Sequence, residues 1–174
     1  MFRNFKRKKK SDEEIEKKTG SENKKVIGAK QVTFDGITFR SQFEGKCYLL
    51  LKASKLRFSH ETEQCVLWHG FKDENIFLWK KKGDIFERRV MTAVRDWTYT
   101  PDFLIESKDG RSKIYIEAKG NPTDLTPYKT KLFLGYLSKL SSINGKHYEY
   151  AFVKTLTELK YVISKLEEDD KYHR

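Results

Sequence analysis

Short apolar runs alternate with polar turns along most of this sequence, and three longer stretches carry apolar residues at helical spacing. Runs of β-branched and aromatic residues are typical of strands, while apolar positions three and four residues apart are typical of helices. The predicted strands are residues 31–40 (a hairpin turning at 35–36), 63–68, 76–79, 85–94, 103–105, 114–116 and 148–154. The predicted helices are residues 41–56, 126–140 and 156–166. Strands and helices mixed in this way predict an α/β fold.

Two of the predicted strands, 103–105 and 114–116, are joined by a polar segment with a strong turn signal. A hairpin here brings Asp102, at the start of the first strand, close to Glu117, at the end of the second. Side chains two residues apart on a strand share a face, so Lys119 points the same way as Glu117. The hairpin therefore predicts two carboxylates and one ammonium group at one place.

This combination suits a hard cation beside a phosphodiester. Magnesium prefers oxygen ligands and keeps several waters, so Asp102, Glu117 and a substrate phosphate are enough to hold it. Lys119 can orient the attacking water or stabilise charge in the transition state. Ala118 points into the core, and its backbone carbonyl is a candidate further ligand. An acid-x-Lys motif is also common on solvated strand edges, and Pro-Asp alone is a turn signal. The prediction of a metal site therefore depends on finding both motifs at the ends of two strands that a turn joins.

A third carboxylate, Glu44, lies near the start of the predicted helix 41–56. Ser41 is suited to cap that helix, and a glutamate three residues later is typical of a capping box. One interpretation of Glu44 is therefore a structural cap. The other is an acid that the helix holds beside the hairpin.

A helix-borne Glu, a Pro-Asp pair and a Glu-x-Lys motif together form the signature of the PD-(D/E)XK nuclease superfamily. The sequence resembles that superfamily over roughly residues 28–140. Residues 97–104 with 116–120 look like the endonuclease I type of phage Holliday-junction resolvase. Residues 28–41, leading into Glu44, look like small phage-encoded endonucleases of the same superfamily. The segment 58–96 is long, with a charged interior, and extra strands, a substrate loop or a dimer interface are all compatible with it.

The resemblance implies a restriction-endonuclease-like core, with a central mixed β-sheet flanked by helices. It implies Glu44, Asp102 and Glu117 as catalytic acids and Lys119 as the catalytic lysine. It also implies Mg²⁺ or Mn²⁺ as the cofactor, with the three acids and the Ala118 carbonyl as candidate ligands. The implied substrate is branched or recombination DNA, and paired cuts at a junction would need a homodimer.

Two other functions remain open on the sequence. The first is a non-catalytic DNA-binding protein that retains the nuclease fold. Such a protein would be expected to lose one of the acids or the lysine. A restriction-type or transposase-type nuclease subunit is the second. It would need a sequence-reading element, and the sequence shows no recognition-helix motif.

Charge favours a polyanionic partner. The chain of 174 residues has a formal net charge of +11 and a pI near 9.5, which suits DNA or, alternatively, a membrane surface. No apolar run approaches the roughly 20 residues that span a bilayer, and no signal peptide is visible. Cys47 and Cys65 do not form a disulfide framework and are predicted to be small core residues. A cytoplasmic protein is therefore expected, in the host cell if the protein is phage-encoded.

Histidine and tryptophan give weaker signals. The four histidines show no ligand spacing and are interpreted as ordinary surface or strand residues: His60, His69, His147 and His173. Trp97 is predicted to lie in the core. Trp68 and Trp79 are open to either core packing or stacking on bases.

Residues 1–27 are predicted to be a disordered basic tail, and residues 28–174 a nuclease domain. Six basic residues and no acid lie between Arg3 and Lys10, and an acidic cluster follows at 12–16. Such dense charge with little hydrophobicity cannot form a core. The tail either binds phosphates non-specifically or keeps the protein soluble.

Deleting residues 1–27 is expected to weaken DNA binding and to flatten its salt dependence. Each phosphate contact contributes about 0.9 to the slope of log affinity against log salt, so losing three contacts changes the slope by roughly 2.7. Titration of labelled DNA at several salt concentrations measures this slope. An identical slope for the truncated protein would assign the tail to solubility or to another partner.

Overall fold

The chain forms an α/β fold with a mixed sheet and three α-helices in the part that the structure describes. This structure is a computed structural model, which describes residues 30–61 and 63–174. The predicted tail, 1–27, and the first two residues of the predicted domain lie outside the described residues. Within the described ranges, no helix is long and apolar enough to cross a membrane.

The strands are β1 Val32–Phe34, β2 Ile37–Phe39, β3 Phe58–His60, β4 Cys65–Trp68, β5 Phe77–Lys82, β6 Ile85–Val90, β7 Trp97–Tyr99, β8 Phe103–Glu106, β9 Ser112–Ala118 and β10 His147–Val153. The α-helices are α1 Gln42–Ala53, α2 Thr126–Asn144 and α3 Leu156–Glu167, and a 3-10 helix spans Asp170–Tyr172.

The main sheet has four strands in the order β10-β9-β8-β3. β9 pairs antiparallel with β8, as the hairpin prediction requires, and β8 pairs antiparallel with β3. β10 is parallel to β9, and α2 forms the crossover between them. Three further antiparallel pairs, β1–β2, β4–β7 and β5–β6, form separate two-stranded sheets.

Side chains of the central strands alternate between two hydrophobic clusters. Phe103 and Ile105 of β8 belong to a cluster that includes buried residues of α1 and α3. Leu104, between them, joins Tyr115 of β9 and Phe133 of α2 in the second cluster. The period of two along β8 thus places α1 and α3 on one face of the sheet and α2 on the other.

α1 packs closely on the β1–β2 hairpin, and Gly45 makes this approach possible. A Cβ at Gly45 would lie 2.5 Å from Val32 Cγ2 and 2.9 Å from Phe34 Cε2. The hairpin turns at Asp35 and Gly36, which both have positive φ. Asp35 also accepts hydrogen bonds from Tyr48 Oη and Lys52 Nζ of α1, at 2.8 and 2.6 Å. Apolar contact near the start of α1 and ion pairing near its end therefore fix the helix against the hairpin.

Most predicted elements are present, with shifted ends. α1 stops at Ala53, before the predicted residue 56, because Ser54 adopts an extended backbone with ψ 169°. α2 runs beyond the predicted residue 140 to Asn144, where Gly145 adopts φ 66°. The predicted strand 85–94 is shorter, and β3 and β7 were not predicted.

The core position predicted for Trp97 is wrong, because this side chain is 39% exposed. Trp97 lies opposite Trp68 at the end of the β4–β7 pair, and a register irregularity separates Val66 from Trp68. The chain leaves the body of the protein at this end, so both indoles remain exposed.

The chain between β4 and β7 forms a long ribbon, which we call the arm (residues 71–94). β5 and β6 pair over six residues each, and the Met91 N–H continues the ladder to the Ile76 carbonyl at 2.8 Å. A bridge between Phe71 and Val94 closes the base of the arm. None of the twelve residues of β5 and β6 belongs to either hydrophobic cluster.

Candidate functional site

A cleft of about 470 Å³ opens where the start of α1, the start of β8 and the end of β9 meet. Its lining includes three carboxylates and three cationic side chains. These are Glu44, Asp102 and Glu117, and Arg40, Lys119 and Lys129. All four predicted catalytic residues therefore line one cleft, and so does Ala118.

The register of β8 and β9 explains the pairing of two of the acids. Phe103 lies opposite Ile116, so Asp102 and Glu117 follow as neighbours across the same hairpin. Asp102 is 6% exposed, and its Oδ2 accepts a hydrogen bond from the Ala118 N–H at 2.7 Å. Asp102 is therefore held in place by the backbone of the strand that carries Glu117.

Glu44 reaches the cleft from α1 and is not used as a helix cap. Ser41 Oγ accepts from the Glu44 N–H at 3.1 Å, as predicted for an N-cap. The Glu44 carboxylate, however, is 4% exposed and accepts from His60 Nε2 at 3.0 Å. α3 shows the contrast, because its Glu158 side chain returns to the Thr155 N–H in a complete capping box.

His60 is a site residue that the sequence analysis missed. Its ring packs between Phe39 and Phe103, with centroid distances of 4.8 and 5.3 Å. The potential ligand atoms of Glu44, His60 and Glu61 all lie within 4.8 Å of one another. This group shares Glu44 with the predicted ligand set and adds two residues from the end of β3. β3 has only three residues, so periodicity gave no signal from which His60 could be predicted.

Arg40 is a second missed residue, at the rim of the cleft. Its guanidinium lies 3.4 Å from Asp102 Oδ1 and also forms an ion pair with Glu61. The Glu61 N–H donates to the Asp102 carbonyl at 3.1 Å, and Glu61 has a φ of 45°. Arg40 follows directly after β2, so only the packing of β1–β2 against α1 brings it to the hairpin.

Tyr99 orients Glu117 from the end of β7. Its hydroxyl donates to Glu117 Oε2 at 2.7 Å and lies 3.3 Å from Tyr150 Oη. Burial and the neighbouring Glu117 charge raise the pKa of Tyr99 well above its ordinary value. Tyr99 therefore stays protonated and acts as a permanent donor.

The floor of the cleft disfavours the ionised form of two of its carboxyl groups. Burial, and then the charge of Glu117, raise the pKa of Asp102 from 3.8 to about 8, although the Ala118 N–H opposes this. Burial also raises the pKa of Glu117, against the hydrogen bond from Tyr99 and the charge of Lys119. A divalent cation would relieve both, and the oxygen donors match those that Mg²⁺ and Mn²⁺ prefer.

Comparison with known proteins gives one match. The model of a family described as "Protein of unknown function (DUF1064)" matches residues 24–154, a span that includes every residue of the cleft. No curated protein and no solved structure matches the chain.

Asp102→Asn is expected to stabilise the metal-free protein at alkaline pH. A carboxyl whose pKa is raised on folding destabilises the fold as pH rises from its unfolded to its folded value, here from about 4 to about 8. Above that window the variant should exceed the wild type by on the order of 1 kcal/mol or more, since one pKa unit is worth about 1.4 kcal/mol. Near pH 4 the difference should vanish. Urea unfolding in EDTA across this range measures it.

Mg²⁺ should make the wild type more stable than Asp102→Asn at alkaline pH. The ion stabilises the wild type by binding to it, and it finds no ionised partner at position 102 in the variant. Titration calorimetry should likewise show that the variant loses metal binding. Asp124→Asn, which removes an exposed carboxylate, is the control and should follow the wild type throughout. Parallel pH profiles for wild type and Asp102→Asn, or unchanged metal binding, would refute the assignment.

Proposed function

We propose that this chain, which belongs to the DUF1064 family, is a metal-dependent endonuclease that hydrolyses phosphodiester bonds in DNA. The observation that carries the proposal is the convergence of three carboxylates and Lys119 in one cleft. Each acid comes from a different element, and two of them are nearly fully buried. If these residues were only the solvent-exposed edge of a strand, their carboxylates would not be buried in this way.

Asp102, Glu117 and Glu44 would hold Mg²⁺ or Mn²⁺, with the Ala118 carbonyl as a further candidate oxygen. The bound ion would supply a more acidic coordinated water and neutralise charge on the scissile phosphate. His60 donates to Glu44 and Tyr99 donates to Glu117, so two of the acids have fixed orientations.

The cations divide into two groups by position. Lys119 follows Glu117 by two residues on the same strand end, and its charge already acts on the Glu117 carboxylate. It would orient the attacking water or stabilise the charge that develops on the phosphate. Arg40 and Lys129 lie at the rim of the cleft, where they would bind phosphates next to the one being cleaved.

The proposed substrate is DNA, in branched or recombination form, as for a Holliday-junction resolvase. The net charge of +11 supports a polyanionic partner. The mixed sheet, with α1 and α3 on one face and α2 on the other, supports a restriction-endonuclease-like core. Paired cuts at a junction would require a two-fold dimer. A complete set of acids and lysine favours catalysis over a DNA-binding protein that only keeps the fold.

Cleavage of a four-way junction, a Y-fork, a linear duplex and a single strand tests the proposal directly. We expect the junction to be cut fastest, with Mg²⁺ or Mn²⁺ and not with EDTA. Asp102→Asn should be inactive. Binding of the same DNA without cleavage under either metal would support the non-catalytic alternative.

Lys119→Ala should lower the cleavage rate by roughly a hundredfold or more, which is typical of losing one transition-state contact. DNA affinity should change little, since Lys119 is one of 36 basic residues. Single-turnover cleavage and equilibrium binding separate the two effects.

Lys160→Ala removes an exposed lysine of α3 and is the matched control, with wild-type rate and affinity expected. A wild-type cleavage rate for Lys119→Ala would show that Lys119 is only a surface charge.

A further inference from the structure

The arm is built from two strands that pack almost entirely on each other. Eleven of the twelve residues of β5 and β6 are exposed, and neither strand makes a substantial contact with another helix or strand among the described residues. β7 follows the arm directly and ends at Tyr99, three residues before Asp102. The base of the arm is therefore joined to the cleft through the three residues of β7.

Both faces of the arm combine large apolar side chains with cations. Directly opposed residues of an antiparallel pair share a face. One face carries Phe77, Trp79, Lys81, Phe86, Arg88 and Val90. The other carries Leu78, Lys80, Lys82, Ile85, Glu87 and Arg89. A ribbon that only covered a core would have one apolar and one polar face, so this distribution needs another explanation.

The charge of the arm identifies the chemistry of its partner. Residues 77–90 contain five basic and two acidic residues, so their formal net charge is +3. Glu87 is already ion-paired with Arg89, and Arg88 lies 3.7 Å from the centre of the Phe77 ring. Two arms of two copies would bring like charges together, whereas a polyanion would neutralise them.

The shape of the arm fits a groove of duplex DNA. Two paired strands are about 4.8 Å apart, and the major groove of about 12 Å admits such a ribbon. Six residues extend about 20 Å. A ribbon that enters tip first has a phosphate strand on either side, which accounts for cations on both faces.

The tip carries two strongly exposed apolar side chains. Ile85 and Phe86 are 68% and 63% exposed and directly follow the Gly83–Asp84 turn, which three consecutive lysines precede. Apolar side chains at such a tip contact sugars and base edges or wedge between base pairs. Trp79, on the same face as Phe86, is 66% exposed and offers a further flat surface.

The base of the arm is fixed, so the tip has a defined direction. A Cβ at Gly70 would lie 2.4 Å from the Val94 carbonyl oxygen, so only glycine allows this crossing. The Gly70 N–H donates to Asp96 Oδ1 at 2.6 Å, and Phe71 and Val94 exchange two backbone hydrogen bonds.

We propose that the arm enters a groove of duplex DNA tip first and holds that duplex against the cleft. The proposal rests on the proposed function only in its choice of DNA as the polyanion. It gives residues 71–94, which lie within the segment 58–96 that the resemblance left without a role, the function of capturing duplex substrate.

Neutralising the three lysines of β5 tests the proposal: Lys80→Gln, Lys81→Gln and Lys82→Gln in one protein. The probe is a labelled linear duplex in EDTA, with a single strand of the same sequence for comparison. Affinity for the duplex should fall about tenfold or more, and the salt slope should drop by roughly 2.7, or 0.9 for each lost phosphate contact.

The matched control neutralises three exposed lysines outside the arm and the cleft, Lys55, Lys108 and Lys160, and should change the slope much less. A second variant, Ile85→Ser with Phe86→Ser, should weaken duplex binding and leave the salt slope unchanged. Both sites are exposed, so neither variant threatens the core.

Equal slopes for the lysine variant and the wild type would overturn the proposal. A shift from dimer to monomer in sedimentation, with duplex binding intact, would also overturn it and make the arm an interface between two copies. If the lysine variant lost affinity only for single-stranded DNA, the proposal that the arm enters a duplex groove would be wrong. The nuclease proposal can fail without the arm proposal. If the wild type binds duplex through the arm but cuts no DNA, the arm proposal stands and the nuclease proposal is refuted.

Discussion

The pairing register of β8 with β9 is the constraint on which the cleft depends. A slip of one residue would turn Glu117 and Lys119 to the opposite face of the sheet and separate them from Asp102. The turn at the other end of the hairpin helps to fix that register. Ser107 Oγ donates to Asp109 Oδ1 at 2.6 Å and accepts from the Ser112 N–H at 2.9 Å, and Gly110 adopts φ 65°. Two buried serines far from the acids thus set which residues meet in the cleft.

The cleft also requires that its carboxylates stay close together at a buried position. Burial raises the pKa of both Asp102 and Glu117, and the charge of Glu117 raises that of Asp102 further. The hydrogen bonds from Ala118 and Tyr99 compensate only part of this cost. The surrounding apolar clusters supply the stability that tolerates it. Uncompensated buried charge of this kind is typical of functional sites, because a merely structural arrangement would neutralise it.

Local patterns predicted the parts of the site that local sequence controls. Glu117 and Lys119 follow from period-two alternation on one strand, and Asp102 follows from the hairpin turn. His60 and Arg40 could not be found in this way, since they join the site through packing between elements that are distant in sequence. β3 has three residues, too few for a periodic signal. Likewise, the strands near 76–79 and 85–94 were predicted, but periodicity does not reveal whether strands join a sheet or project from it.

The independence of the arm has a consequence for how such proteins diversify. Side chains in β5 and β6 pack on one another and contribute nothing to the two apolar clusters, so changes there are not limited by the volume of the core. The cleft, by contrast, is tied to the register of the central sheet. Under the proposed function, substrate preference would therefore change through replacement or lengthening of one surface ribbon, while the cleft would stay the same.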